Sequence, residues 1–258
     1  MHLRRWANAT AVALAVGSSQ AEPPGPRVVF VQPSGAEVPA NLLRISIGFS
    51  ARVEGPVLSR LALRRAGGPP IEAPFLQQEL WSPNGKVLTV LMHPGRVKTG
   101  LNARDEKGPI LSAGDQVALT LGGRIVKRWR VGHADEIGPM ASAWKLSVVQ
   151  ARSKQPLMVA LDGPIDGRDA DYLAVVDARD RRVTGRARLS DGESTWTFFP
   201  DVPWRTGVYK LVAHGTLEDS AGNRLGSRFE TSIQSPPGPS IDAGISFEVG
   251  SSPRRVRH

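Results

Sequence analysis

Apolar residues recur two apart along most of the chain, which is the period of a half-buried β-strand rather than of a helix. One alternating set lies early in the chain, and a similarly spaced set follows 112 residues later. The early members are Ile45, Ile47, Phe49, Val53, Leu61 and Leu63, and their counterparts are Leu157, Val159, Leu161, Ile165, Leu173 and Val175. We therefore predict an all-β protein of two tandem antiparallel β-sandwiches that share one strand plan.

Turn signals divide the chain into short strands. Asn84-Gly85 lies between two apolar runs and favours a hairpin, and Gly122-Gly123 favours another tight turn. The predicted strands cover 28–31, 43–49, 57–63, 75–81, 87–92, 116–121 and 125–131 in the first unit, and 157–161, 172–176, 183–189, 195–199, 208–213 and 224–233 in the second. Seven short strands in the first unit and six in the second are typical of a sandwich rather than of a parallel α/β sheet.

Aromatic positions mark the expected core of the second unit. Trp196 and Phe198 alternate with threonines, so both rings are predicted to face inward, and we expect Phe49, Leu161 and Tyr209 to be largely buried as well. Tyr209 follows a turn closely, where its hydroxyl can bond back to that turn, as in the tyrosine corner of Ig-type sandwiches.

The two ends of the chain differ from the rest. Residues 1–21 have the layout of a secretory signal peptide: a positive start, a short apolar run at 9–16 and small residues before a cut; a disordered arm is the alternative. Residues 27–132 and 144–233 are the predicted sandwiches, with a linker at 133–143. Residues 234–258 are rich in Pro, Gly and Arg and are predicted to be disordered, although the alternation at 245–249 leaves one edge strand open.

The net charge and the lack of cysteine indicate which partners and which compartment suit the protein. The chain has 33 Lys and Arg against 24 Asp and Glu, a net charge of +9, and loss of Arg4 and Arg5 with the signal peptide leaves +7. A basic exported protein can meet acidic glycans, cell-wall polymers or lipid headgroups, although charge also serves solubility. There is no cysteine, so the folded units depend on their apolar cores without disulfides. We expect an exported protein, periplasmic or extracellular, with no transmembrane segment.

Several short motifs resemble those of bacterial Ig-like domains of the kind found in S-layer and other secreted proteins. The first unit opens with Pro33-Ser34-Gly35-Ala36-Glu37-Val38-Pro39, runs into a strand ending Phe49-Ser50 and has the Asn-Gly hairpin. The second has Gly207-Val208-Tyr209 and the turn Asp219-Ser220-Ala221-Gly222-Asn223. Each unit lacks some of the motifs. The resemblance implies a pair of exported Ig-like sandwiches used as a spacer, adhesion or binding module.

Three features are candidate sites, each with a structural alternative. Arg96 and Lys98 lie in an insertion, 94–101, where they can grip a phosphate or carboxylate, or the insertion can simply pack on the sheet. Trp204 can stack on a sugar or cap the core. Four acids on one loop, Asp162, Asp166, Asp169 and Asp171, offer a weak calcium alternative to solvated turn carboxylates.

No catalytic motif, phosphate-cradling loop or metal-ligand spacing of histidines occurs, so we predict neither catalytic residues nor a cofactor. The leading hypothesis is a non-catalytic spacer or interaction module of the cell envelope, with a polysaccharide or protein partner and no nucleic acid. The alternatives are a binder of anionic glycan or envelope lipid through a basic loop and face, and an enzyme with a site between the two units.

Overall fold

A computed structural model describes residues 25–97, 108–226 and 242–250, and almost all regular structure in these ranges is β. The strands are β1 (Val28–Gln32), β2 (Glu37–Val38), β3 (Arg44–Phe49), β4 (Leu61–Arg65), β5 (Leu80–Trp81), β6 (Val87–Leu91), β7 (Gln116–Leu121), β8 (Arg124–Val131), β9 (Lys145–Leu146), β10 (Leu157–Ala160), β11 (Leu173–Asp177), β12 (Gly185–Ser190), β13 (Thr195–Pro200), β14 (Gly207–Ala213) and β15 (Ala243–Val249). The helical segments are α1 (Pro94–Val97) and three 3-10 turns, Leu58–Arg60, Ala141–Ala143 and Asp169–Tyr172.

The strand order defines the fold of each unit. In the first unit the sheets have the orders β1-β3-β6-β5 and β2-β8-β7-β4, and in the second they have the orders β9-β10-β13-β12 and β11-β14-β15. All of these neighbours are antiparallel except the short parallel pair β2 and β8. In the second unit a four-stranded sheet faces a sheet of its third, sixth and seventh strands, β11, β14 and β15, which is the arrangement of an Ig-type sandwich. In the first unit β4, β7 and β8 take the corresponding places, and the short strand β2 joins them. The chain is therefore two tandem Ig-like β-sandwiches.

Each sandwich has its own hydrophobic core between its sheets. Ile45 and Ile47 on β3 are fully buried, as are Leu157 and Val159 on β10, because alternate residues of a strand point to one face. Three of the five residues predicted to lie in the core are buried: Phe49, Trp196 and Phe198. The other two, Leu161 and Tyr209, are only half-buried.

The offsets between the two apolar patterns match strands at corresponding places in the sheets. A shift of 112 residues carries β3 onto β10 and β4 onto β11, and the later shifts of 107 and 93 carry β6 onto β13 and β7 onto β14. That the two sandwiches superpose in detail stays a prediction, to be checked by fitting one onto the other.

The predicted turns adopt the backbone that their residues favour. Gly85 has φ +66° in the hairpin between β5 and β6, and Gly122 and Gly123 have φ +56° and +79° between β7 and β8. Glycine adopts positive φ without the steric penalty of a Cβ. The hydroxyl of Tyr209 accepts a hydrogen bond from the Arg205 N–H at 3.2 Å, so the back-bond to the preceding turn is confirmed.

Two predicted strands of the first unit are only partly formed. The Glu79 carboxylate accepts the N–H groups of Val57 and Leu58 at 2.7 and 2.6 Å, so 58–60 forms a 3-10 turn and β4 begins at Leu61. The segment 75–81 pairs with β6 at its two ends, as an isolated bridge at Phe75 and as β5, because Glu79 between them turns toward residues 57 and 58.

The prediction that residues 234–258 are disordered is wrong at 243–249. These residues form β15, which pairs with β14 along its whole length and buries Val249 to 1% exposure. The alternation that left an edge strand open was therefore the better guide, and the second sandwich extends past the predicted boundary at 233. The predicted signal peptide and most of the strand predicted at 224–233 lie outside the described residues.

Candidate functional site at the junction of the two sandwiches

Arg44 links the two sandwiches. It is the first residue of β3, and its guanidinium reaches into the second unit, where Nη1 donates to Asp166 Oδ2 at 3.0 Å and Nη2 donates to Glu218 Oε2. The Arg44 side chain is only 16% exposed, against 6% for Asp166 and 15% for Glu218. Both ion pairs are thus shielded from water. In such a shielded place charge-assisted hydrogen bonds are strongest, and loss of one partner costs the most stability.

Both acids have a second cation. Asp166 also pairs with Arg168 at 3.0 Å, and Glu218 with Arg224 at 3.3 Å. Burial alone would raise the pKa of Asp166, but hydrogen bonds and charge from Arg168, together with the charge of Arg44, hold that pKa below its ordinary value. Burial would likewise lower the pKa of Arg44, yet Glu218 and Asp166 raise it. Arg44 and Asp166 are therefore both ionised at neutral pH.

Asp169 lies beside the network and has the opposite behaviour. Its Oδ2 accepts the Glu218 N–H at 2.9 Å, and the residue is 5% exposed. Burial raises the pKa of Asp169 to about 6; the Glu218 N–H opposes this shift, and the nearby Asp166 charge adds to it. Asp169 thus gains a proton under mild acid while Asp166 stays ionised.

The loop 217–225 of the second sandwich is held by Asp219. Its Oδ1 accepts the N–H groups of Ala221 and Asn223 at 2.8 and 2.9 Å, and its Oδ2 accepts Asn223 Nδ2 at 2.7 Å. These hydrogen bonds form an Asx-type turn. Burial raises the pKa of Asp219 to about 6, against the hydrogen bonds from Asn223 and with a further contribution from the Asp135 charge.

Both sandwiches hold the chain that connects them. The carbonyl of Asp135 accepts hydrogen bonds from Asn41 Nδ2 at 2.7 Å and from Asn223 Nδ2 at 2.9 Å, and the Asp135 N–H donates to Asn41 Oδ1 at 2.8 Å. The Leu43 N–H also donates to the Ser220 carbonyl at 2.9 Å, directly across the junction. The connecting segment is therefore fixed from both sides.

A second contact lies at the turn after β1. The Ser34 N–H donates to Glu193 Oε2 at 2.8 Å, and Glu193 is only 3% exposed. A Cβ placed on Gly192 would lie 3.0 Å from the Gly35 Cα, so a larger residue there would push the units apart. The junction is closed along two separate lines of contact.

The space left in the junction is small. A cavity of about 10 Å³ lies between the units, which is room for about one water molecule. Asp166, which lines this cavity, lies close enough to Asp169 for its charge to act on it, but the cavity itself is too small for a substrate. The cavity is lined by Gln32, Pro33, Arg44, Ser46, Ile165, Asp166, Gly167 and Ser220.

The predicted basic loop is built into the first core. Arg96 lies on α1, is 5% exposed, and its guanidinium donates to the carbonyls of Gly108, at 3.0 Å, and of Glu72. Val97 is buried beside it. This placement favours the packing role that the sequence left open, because anion binding needs an exposed guanidinium. Lys98 lies outside the described residues.

Trp204 caps the second core. It is 2% exposed, its Nε1 donates to the Gln155 carbonyl at 2.8 Å, and its ring meets those of Phe198, Tyr209 and Phe247 at 5.2–6.1 Å. No ring face is left for a sugar, so this arrangement favours the capping alternative.

The four aspartates of the weak calcium alternative serve separate contacts. Asp162 accepts the Met140 N–H at 2.9 Å and Trp144 Nε1 at 2.8 Å, while Asp171 is exposed and Asp166 and Asp169 lie in the junction. Across residues 25–97, 108–226 and 242–250, no group of three or more His, Cys, Asp or Glu has the arrangement to hold a metal ion.

Sequence reasoning missed most of the junction. The sequence pattern indicated no role for four of its residues, which are Arg44, Asn41, Asp135 and Glu193. Of the junction, it indicated only the turn at Asp219. The one available signal was an arginine placed directly before the fully apolar Ile45 of an inner strand.

No protein-family profile matches the sequence, and a search of curated proteins finds no match. Among solved structures, the chain is similar to an L,D-transpeptidase from Mycobacterium smegmatis, with 15% identity, 86% of this chain and 73% of that chain covered, and a TM-score of 0.29. It is also similar to titin domains z1z2 in complex with telethonin, with 11% identity, 88% of this chain and 98% of that chain covered, and a TM-score of 0.24. A third similar structure is that of domains 5-6 of the S-layer protein SbsC, with 9% identity, 88% of this chain and 100% of that chain covered, and a TM-score of 0.26. Because these TM-scores are below 0.5, nothing about function is carried over. Within the described ranges, no helix has the length and apolarity needed to cross a membrane.

Proposed function

We propose that this protein is an exported, non-catalytic module that holds two Ig-like sandwiches in one fixed relative orientation, as a spacer or interaction unit of the cell envelope. The observation that carries the proposal is the junction. Arg44 is ion-paired across it, and the Asp135 carbonyl is held by an amide from each sandwich.

The chemistry of the junction suits a spacer. Interfaces between domains of one chain are commonly mobile unless they are extensive, and a spacer that transmits position must suppress that motion. Here directional hydrogen bonds and paired charges, rather than apolar packing alone, define the angle between the units. The chain has no cysteine, so no disulfide contributes to this rigidity.

Support for export comes from the sequence. Residues 1–21 have the three-part pattern of a cleaved signal peptide, and the remaining chain has a net charge of +7 after removal of Arg4 and Arg5. A polysaccharide or protein partner in the envelope fits such a module.

Two measurements test the proposal. Residual dipolar couplings of the processed chain should fit one alignment tensor for both sandwiches, because a fixed junction makes them tumble as one body. Cell fractionation with N-terminal sequencing should find the mature chain outside the cytoplasm, beginning near residue 22. Two tensors of different magnitude would refute the spacer, and an unprocessed cytoplasmic chain would refute export.

A basic row on the first sandwich favours a second candidate, a binder of anionic glycan or envelope lipid. On the outer face of the sheet β2-β8-β7-β4, Arg64 pairs in register with Ala118, and Ala118 pairs with Arg128. Both arginines are exposed, and neither makes an ion pair with another described residue. The backbone positions of the two arginines lie two strand spacings apart, roughly 10 Å, with Ala118 between them.

Retention of the protein on polygalacturonate and on phosphatidylglycerol vesicles separates the two ligand sources. Arg64→Ala with Arg128→Ala should weaken retention at low salt, and added salt should weaken that of wild type, because exposed charge contacts are screened over about 10 Å at 0.1 M. Arg205→Ala, which removes an exposed arginine from the other sandwich, is the matched control. Equal retention of the double variant and wild type would remove this candidate.

A further inference from the structure

A groove crosses the outer face of the second sandwich, and its lining residues differ from those of the junction cavity. Its volume is about 260 Å³, just below the ~300–1,000 Å³ range of small-molecule sites. Its floor is the cross-strand pair Ala174 and Val212, whose small side chains leave the sheet open between β11 and β14. The lining residues are Asp171, Tyr172, Ala174, Arg182, Val212, His214, Thr216 and Asp242.

One wall of the groove carries an accessible aromatic ring. Tyr172 is 43% exposed although its ring packs on that of His214, with ring centroids 5.6 Å apart and planes at 49°. The His214 N–H donates to the Tyr172 carbonyl at 2.8 Å, which fixes the backbone under both rings. Trp204 has no free face, whereas Tyr172 offers one to a ligand.

The loop behind this wall is fixed by its own hydrogen bonds. The Thr216 N–H donates to His214 Nδ1 at 3.3 Å, so Nδ1 is an acceptor and the neutral imidazole carries its hydrogen on Nε2. The Gly215 N–H donates to Asp242 Oδ1 at 2.9 Å. The polar groups of the groove are therefore positioned before any ligand arrives, which lowers the entropic cost of binding.

Several of these polar groups are unused. The Asp171 carboxylate, the Tyr172 hydroxyl, the Arg182 guanidinium and His214 Nε2 make no hydrogen bond or ion pair with other described residues. Both acceptors and donors thus line a small apolar floor beside an exposed ring.

We propose that this groove binds a sugar ring of a neutral glycan. A pyranose has an apolar C–H face that suits an aromatic ring, and hydroxyl groups that both donate and accept. Asp171 and Asp242 would accept from those hydroxyls, and His214 and Arg182 would donate to them. A purely anionic ligand fits poorly, because carboxylates occupy two positions of the lining. The site is independent of the spacer role.

Titration of the mature protein with methyl glycosides of glucose, galactose and N-acetylglucosamine, and with cellotriose and chitotriose, tests the proposal by saturation-transfer and amide-shift NMR. At least one probe should bind saturably and shift the amides of Tyr172 and His214. Tyr172→Ala should weaken that binding about tenfold through loss of the stacking face, while Tyr172→Phe should stay within about threefold.

Phe30→Ala is the matched control, since that ring is 40% exposed on the other sandwich and its removal should leave affinity unchanged. Asp171→Asn, an exposed substitution that leaves the fold intact, should weaken binding about fivefold and supplies a second readout if Tyr172→Ala unfolds. The proposal is overturned if none of the probes binds, if Asp171→Asn and Tyr172→Ala both leave affinity unchanged, or if alanylalanine displaces the sugars from the groove.

Discussion

Replacing Arg44 by Met is the most direct test of the junction. Methionine keeps much of the apolar stem volume and removes the charge. Wild-type Arg44 donates to Asp166 at 3.0 Å and to Glu218, and both acids are less than one-fifth exposed. The substitution therefore leaves two shielded carboxylates without their shared partner.

The magnitude follows from what those carboxylates retain. Removing one member of a buried ion pair costs about 3–5 kcal/mol when the other charge is left uncompensated. Here Asp166 keeps Arg168 and Glu218 keeps Arg224, at 3.0 and 3.3 Å. Because compensation is partial, we expect a loss of about 2–3 kcal/mol in the free energy of unfolding.

Urea unfolding at pH 7, followed by tryptophan fluorescence, measures the loss. Since Arg44 couples the sandwiches, Arg44→Met should lower the midpoint and separate a shared transition into two. Adding Glu218→Gln should restore part of the stability by removing one stranded charge. Arg64→Met, at an exposed position on β4 in the other sheet of the same sandwich, is the control and should change stability by less than about 0.5 kcal/mol. An unchanged midpoint in Arg44→Met would refute this account of the junction.

Two other substitutions test the core and the titration of the junction. Trp196→Ala should cost about 3–5 kcal/mol, because the ring is fully buried and stacks on Phe198 at 5.8 Å; an unchanged urea midpoint of the second unit would contradict this. Burial raises the pKa of Asp169 from 3.8 to about 6, so its stabilising contribution is complete below pH 4 and is lost as pH rises through 6. Asp169→Asn stays neutral and can still accept the Glu218 N–H, so it should exceed wild type by about 1–3 kcal/mol at pH 8 and match it near pH 4; parallel pH profiles would contradict the shift.

The strands were predictable because their signals are local. Alternation at Ile45 and Ile47 identifies an inward face within a few residues, and Asn84-Gly85 has the conformational preference of its hairpin. The prediction failed where a distant side chain intervened, as when Glu79 captured the N–H groups at 57 and 58. It also failed at β15, where Pro- and Gly-rich composition upstream outweighed a clear alternation.

The junction was not predictable by the same means. Arg44 is 122 residues from Asp166 and 174 from Glu218, and no periodic pattern relates positions on separate sandwiches. Asn41 and Asn223 meet only because both reach the Asp135 carbonyl. A single sequence shows which residues are present, but it does not show which of these distant residues contact each other.

The junction combines groups whose pKa values move in opposite directions, and this determines how it responds to acid. Burial raises the pKa of Asp169 and of Asp219 to about 6, whereas the arginines hold the pKa of Asp166 below its ordinary value. On mild acidification the first two lose their charge, which relieves the cost of burying it. The pair between Arg44 and Asp166 stays ionised in that range. The junction therefore keeps its central ion pair while Asp169 and Asp219 become neutral.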